Sequence, residues 1–212
     1  MPEITFNIEF RNQRFEDAAK GLKYFSQALE KDWDGAAKKL SVELRAFLDL
    51  VSTAIIQRNS NPWPGGTTGT SLSLRSGRSM QSIKDSIKVS GATFDTITGE
   101  IGGAWPLAVH EYGATINAKS KLLTIPLPAA LDSRGIPLKK SARDWDNTFV
   151  AKSKAGNLLI FQKRGSQIVP LYVLKSQVVI KPRLKMRDTI NAGIPYFVDK
   201  AVDAIVKSII KK

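Results

Sequence analysis

A chain of 212 residues without cysteine can bury a core of its own and has neither a disulfide framework nor a thiolate metal site. Its net charge of +13 is uneven: residues 1–118 hold 13 Lys and Arg against 13 Asp and Glu, whereas residues 119–212 hold 19 against 6. The N-terminus has no basic segment leading into an apolar one, and no apolar run approaches the roughly 20 residues that cross a bilayer. The expectation is therefore a soluble protein assembled in a reducing cytoplasm, with no membrane partner.

Ile4, Phe6, Ile8 and Phe10 alternate with polar residues, and a period of two predicts a half-buried strand. Phe15, Ala18, Ala19, Leu22, Phe25 and Leu29 recur at three and four, which predicts a helix. Asp34-Gly35 reads as its break, with Asp34 capping a second helix. That helix runs from Ala36 to about Gln57 through Ala37, Leu40, Leu44, Phe47, Leu48, Val51 and Ile55, and would be about 33 Å long. The prolines and glycines of Asn59 to Thr70 predict a loop. A short helix is expected over Leu72–Ser86, and strands over Ile87–Ser90 and Thr96–Ile101. With Ala104–Pro126 these strands would form one antiparallel sheet, because the links are too short for crossover helices.

Residues 127–156 are poorly patterned and densely charged, and read as a long excursion. Asn157–Arg164 and Ile168–Lys181 read as a hairpin, bent near Lys175–Gln177. Its long, alternately apolar arms would be sheet edges in need of a partner. Pro195 suits the first turn of a last helix that starts after Gly193. The fold class is α+β: a mostly antiparallel sheet packed against a long helix in the N-terminal half and a C-terminal helix. A single domain over 1–212 is expected, with extended loops at about 59–71 and 127–156.

The chain's single histidine stands in Trp105-Pro-Leu-Ala-Val-His-Glu-Tyr-Gly-Ala-Thr-Ile116. His110-Glu111 invites an enzymatic reading. A zincin needs a second histidine four residues on, and the chain has none. A Ser-His-acid triad needs an exposed serine on a strained turn, and no Gly-x-Ser-x-Gly occurs. The six acids of the second half are too scattered for a metal-dependent nuclease. Gly65–Gly69 lacks the lysine and the preceding strand of a phosphate loop. The expectation is no catalytic residue, no cofactor and no metal. His110, Glu111, Tyr112 and Gly113 are assigned to a structural turn that Gly113 makes possible. Trp63 and Arg183 are candidate contacts to another subunit or a partner. Lys152, Lys154, Lys163 and Arg164 are candidate contacts to DNA or an acidic partner, indifferent to base sequence and weakened by salt.

The order helix, Trp63-Pro64, Ser82-Ile83, His110-Glu-Tyr-Gly-Ala-Thr-Ile116, Leu123-Thr-Ile-Pro126, long arm with Arg183, final helix is similar to the tail-completion and virion-morphogenesis proteins of phages. Members of that family carry a His-Glu-Phe-Gly-Gly-x-Ile run and then Leu-x-Ile-Pro. Near Arg183 the match is looser: the prolines do not align, and Leu184 stands where the family has one. The resemblance implies a structural protein of the virion neck or tail, assembled in the host cytoplasm. It implies a homo-oligomeric ring, often of six, between head connector and tail tube, around the channel that DNA passes through. The rival expectation is a small basic protein that binds DNA without sequence preference.

Overall fold

The structure, a computed structural model, describes residues 8–10, 13–15, 18–65 and 67–209. In chain order its elements are β1 (Ile8–Phe10), β2 (Gln13–Phe15), α1 (Ala18–Arg58), β3 (Asn61–Pro62), β4 (Ser73–Leu74), α2 (Arg78–Asp85), β5 (Lys88–Ser90) and β6 (Thr98–Glu100). Then come α3 (Trp105–Tyr112), β7 (Ala114–Asn117), β8 (Leu123–Pro126), β9 (Thr148–Lys152), β10 (Leu158–Arg164), β11 (Gln167–Lys175), β12 (Gln177–Ile180) and α4 (Met186–Ile209). The class is α+β, with antiparallel ladders throughout except for the two-residue parallel pair β3–β4. The strand expected at Ile4 and Phe6 falls outside the described residues; Ile8 and Phe10 do lie in β1.

Two compact units emerge. Unit 1 comprises residues 1–50, 87–100 and 192–212; unit 2 comprises 51–86 and 101–191. In unit 1, α1 buries Ala36, Ala37, Phe47 and Leu48, with Ile87 and Ala201. Phe47 stacks on Phe197 of α4 at 5.1 Å between ring centroids, and Trp33 meets Phe94 edge-on at 5.2 Å. Three sequence expectations change here. Phe15 ends β2 rather than opening a helix. The helix does not break at Asp34-Gly35; α1 runs through it. A glycine inside a helix costs only about 1 kcal/mol relative to alanine, and the fully buried Ala36 and Ala37 beside it keep the apolar face continuous. The ribbon β5–β6 is a ladder of its own in unit 1, not part of the sheet that follows, because α3 intervenes between β6 and β7.

Unit 2 contains a four-stranded sheet in the order β8-β11-β10-β9. The predicted hairpin is β10–β11, but its arms are interior strands; the outer positions fall to β8 and β9. The excursion at 127–156 is therefore only partly irregular: its last third supplies an edge strand, and Ser141 and Asp144 cap a short 3-10 turn at Ala142–Asp144. Pairing steps from Ile160–Tyr172 to Phe161–Pro170, which leaves Leu171 as a bulged residue. Pro170 has no N–H to give the ladder, so a bulge is where a strand tolerates it. Leu171 and Tyr172 bury with Ala130, and Trp145 Nε1 donates to Tyr172 Oη at 3.0 Å. The bend near Lys175–Gln177 is present at Ser176: β11 pairs with β8 up to Lys175, and β12 then pairs with β7.

Two helix boundaries also move. The helix expected over Leu72–Ser86 is confined to Arg78–Asp85, because Gly77 at φ 75° stops it and Ser73–Leu74 pairs with β3. The last helix begins at Met186, and Pro195 lies inside it.

Candidate functional site

The His-Glu-Tyr-Gly run forms the end of α3, a helix of two turns opened by Ala104 with Pro106 in its first turn. It is a helix end rather than a loop turn, and three of its residues grip the segment that leads from β12 into α4. The carbonyl oxygen of His110 accepts from Arg183 N at 2.7 Å and from Leu184 N at 2.9 Å. The Glu111 carboxylate accepts from Met186 N at 2.8 Å and Arg187 N at 2.9 Å. Glu111 thus caps α4 from a different element, at the helix end where its dipole favours negative charge. This cap explains why α4 starts nine residues before the Pro195 signal. Gly113 closes α3 at φ 76°, ψ 162°, with Ile180 O and Pro182 Cδ both 3.0 Å from where a Cβ would lie. Tyr112, by contrast, is 67% exposed and takes no part in this joint.

Replacing Glu111 with alanine removes two charge-assisted acceptors from the start of α4. The expected loss is about 1–2 kcal/mol, in the range of N-cap deletions. Urea denaturation measures it, and faster amide exchange at Met186 and Arg187 locates it.

Asn59 holds the other side of the same segment. Its side chain is fully buried. Nδ2 donates to Ile55 O at 2.8 Å and to Leu184 O at 3.3 Å, and Oδ1 accepts from Leu72 N at 2.9 Å. One amide therefore ties the end of α1, the strand entry at Leu72 and the turn at Leu184. From the sequence this asparagine reads only as the start of a loop; its role depends on contacts 125 residues apart.

His110 and Arg183 line a cleft of about 670 Å³. His110 Nδ1 is buried without a hydrogen-bond partner. Burial, and then the neighbouring Arg183 charge, hold the imidazole pKa below its ordinary 6.5. The folded state therefore binds fewer protons here than the unfolded chain, and stability falls as pH drops through 6.5. Asp132 and Asp188 also have depressed pKa values, Asp132 from the Ile136 N–H first and Asp188 from Lys185 first. Their stabilisation is lost only at lower pH, in the carboxylate range, so the two windows separate. His110→Gln is expected to flatten stability between pH 7 and that range, as read by denaturant midpoints.

Trp63 is half-buried against its own chain. The Arg75 guanidinium lies 4.2 Å from its ring centroid, and Gly135 at φ 77° leaves room for that ring. The most exposed tryptophan among the described large hydrophobics is instead Trp105, at 74%. Trp105 and Tyr112 are seven residues apart on α3, hence on one face. Spacing alone could have paired them; their exposure could not be read without the fold.

The four candidate basic residues do not form one patch. Lys152 pairs with Leu158 at the start of β10, while Lys163 and Arg164 lie at its far end, about 20 Å away at 3.3 Å per residue. Lys154 follows Lys152 in the turn after β9, and Arg164 donates to Gln162 Oε1 and lies over Trp145. Charge as a whole is more informative. Unit 2 holds 19 Lys and Arg against 6 Asp and Glu, which is the entire net +13, while unit 1 holds 13 of each. Five of those six acids, Asp85, Glu111, Asp132, Asp144 and Asp188, already accept hydrogen bonds or ion pairs within the chain.

Among the described residues no cluster of His, Asp and Glu could hold a metal ion. Comparison with family models, curated proteins and solved structures finds no match to this chain.

Proposed function

We propose that this chain is a structural, non-enzymatic protein of the phage neck or tail, forming a ring that joins the head connector to the tail around the DNA channel. One observation carries the reading. Three stretches on which the family resemblance rests, His110–Ile116, Trp63-Pro64 and Arg183, belong to one compact unit, and His110 and Glu111 spend their backbone carbonyl and carboxylate on the Arg183 segment. The Glu111 carboxylate and the His110 backbone carbonyl, though not the His110 ring, are mechanical parts of a joint, which supports a structural reading.

A ring subunit also needs free surface, and two candidates exist. One is the face of α3 bearing Trp105 and Tyr112, residue types enriched at interface hot spots. The other is β9, an outer strand whose Phe149 and Val150 are 40% and 57% exposed. A heterologous contact between unlike surfaces closes into a ring when the rotation permits. Cryo-electron microscopy of the particle that carries this protein tests the reading. Six copies at the connector–tail junction are expected; a single copy, or density outside the neck and tail, overturns it.

The concentration of +13 in unit 2, with most of its acids engaged, favours a second reading: non-specific contact with duplex DNA. Reversing Lys152, Lys154, Lys163 and Arg164 together would then lower the slope of log affinity against log salt by about 1 per lost phosphate contact. An unchanged slope removes these four residues from any DNA contact.

A further inference from the structure

The four-stranded sheet ends on two outer strands, and only one of them is blunted. In β8 the Leu127 N–H donates to Leu171 O at 2.8 Å. By the alternation of an antiparallel ladder, the backbone groups of Thr124 and Pro126 then point away from β11. Pro126 has no N–H to offer there, which closes that edge to another strand. β9 has no such guard. Ser153 N donates to Asn157 O at 2.8 Å and Lys163 N to Asn147 O at 3.0 Å, so the odd residues from Asn147 to Ser153 face β10. The N–H and C=O groups of Thr148, Val150 and Lys152 therefore point outward, along an edge with no strand beside it. Phe149 and Val150, on opposite faces of that edge, are 40% and 57% exposed. The side chains are placed symmetrically about Val150: Thr148 and Lys152 flank it, and Asp146 and Lys154 come next. Of the six acids in unit 2, Asp146 is the one whose carboxylate has no partner among the described residues; only its carbonyl oxygen is used, by Gln162 Nε2 at 3.2 Å. The Lys154 ammonium has no partner among them either.

We propose that β9 pairs antiparallel with β9 of a second copy of this chain, about a two-fold axis at Val150. Val150 then faces the partner's Val150, and Thr148 and Lys152 face the partner's Lys152 and Thr148, each pair exchanging two backbone hydrogen bonds. Any other antiparallel register leaves at least one of these outward residues unpaired. On the other face Phe149 lies against the partner's Ala151, a large side chain beside a small one. Beyond each end of the ladder, Asp146 of one copy meets Lys154 of the other. The occupant is a second copy because the segment complements itself when reversed: Asp146, Thr148, Val150, Lys152, Lys154 runs from an acid to cations. The cation surplus of unit 2 opposes self-association, but at physiological salt it is screened beyond about 8 Å, whereas the end pairs are in contact. This contact is isologous and so differs from the heterologous contact of a ring. It assigns β9 to pairing of the free chain and does not rest on the neck reading.

Sedimentation equilibrium of the full-length protein at physiological salt is expected to show monomer and dimer in exchange. Amide hydrogen exchange on the same samples should slow with concentration at Thr148, Val150 and Lys152, and not at Phe149 and Ala151, whose N–H groups are already given to β10. Val150→Pro removes the central outward donor without touching a bond to β10. It should abolish the dimer and keep the protection of Leu159 and Phe161, which reports that β9 is still in place. Asp146→Lys and Lys154→Asp should each weaken the dimer about fivefold or more, and the two together should restore it. This charge exchange keeps the test decisive even where Val150→Pro loosens β9 itself. Monomer alone at millimolar protein overturns the proposal. So does association of any order that Val150→Pro leaves unchanged, exchange at Thr148, Val150 and Lys152 that ignores concentration, or a double variant as weak as the single ones. All of this is read on the isolated protein, so failure here leaves the neck reading standing.

Discussion

Asn59→Asp is expected to destabilise the chain by about 3–5 kcal/mol at neutral pH, the range for a buried charge left without compensation. The change is almost isosteric, so packing is preserved and only the hydrogen-bond polarity changes. Oδ1 can still accept from Leu72 N. The atom replacing Nδ2 now faces the carbonyl oxygens of Ile55 and Leu184, both of which it formerly served. Acceptor meets acceptor in a site with no access to water. Desolvation and these carbonyls raise the pKa of the new carboxyl above the ordinary value near 3.9. The folded state then binds the proton more tightly than the unfolded one, so the variant recovers stability as pH falls through the raised pKa. Denaturant titrations at several pH values check this. A loss that stays constant with pH would show that the side chain reaches water, and that Asn59 is not the closed knot its contacts describe. Asn59→Leu, which leaves the Leu72 N–H and the Leu184 carbonyl without partners, should cost about 2–4 kcal/mol with no such pH dependence.

Gly113→Ala is expected to be the costliest glycine substitution at the joint. At φ 76° and ψ 162° the backbone occupies a region used by glycine almost alone, which sets a strain of about 1–3 kcal/mol for any side chain. The added Cβ would in addition stand 3.0 Å from Ile180 O and from Pro182 Cδ, so the strand end that feeds α4 must shift. Gly77→Ala is the control. Gly77 also has positive φ, at 75°, but nothing lies within 4 Å of its Cβ position. Gly77, at ψ −14°, lies in the left-handed helical region that other residues adopt at modest cost, so the difference between the two variants combines the steric contribution at the joint with the greater strain of the ψ 162° region. If both lose the same stability, the approach of residues 180–182 to α3 is looser than these distances state. If Gly113→Ala also slows assembly while Gly77→Ala does not, the joint matters to the proposed ring as well as to the fold.

Much of this fold was legible in the order of residues. The apolar period of α1, the alternating arms of β10 and β11, the bend at Ser176 and the closing role of Gly113 follow from local rules. The composition-level asymmetry of charge was visible too, and all but four of the cations of residues 119–212 lie in unit 2. Local signals give way where distant contacts overrule them. Gly35 and Pro195 both read as helix boundaries and both lie inside helices. Asp34-Gly35 failed as a break because apolar contacts continue across it, and Pro195 failed as a start because Glu111 supplies the cap at Met186. The edge strands escape the sequence because β9 lies in a charged excursion whose pairing with β10 no period reveals.

The sequence by itself determined which residue types are available for chemistry: one histidine, no cysteine, and a surplus of cations in the second half. It also determined the α+β class, since periodicities of 3.6 and 2 are properties of the chain alone. Only the tertiary structure decided what His110 and Glu111 are engaged in, that Asn59 is a buried knot, that Trp63 packs on Arg75 while Trp105 is exposed, and that Lys152 and Arg164 stand at opposite ends of one strand pair. Those outcomes turn on hydrogen bonds and close approaches between residues far apart in the chain, and the strength of each is set by burial, which no single stretch of sequence contains.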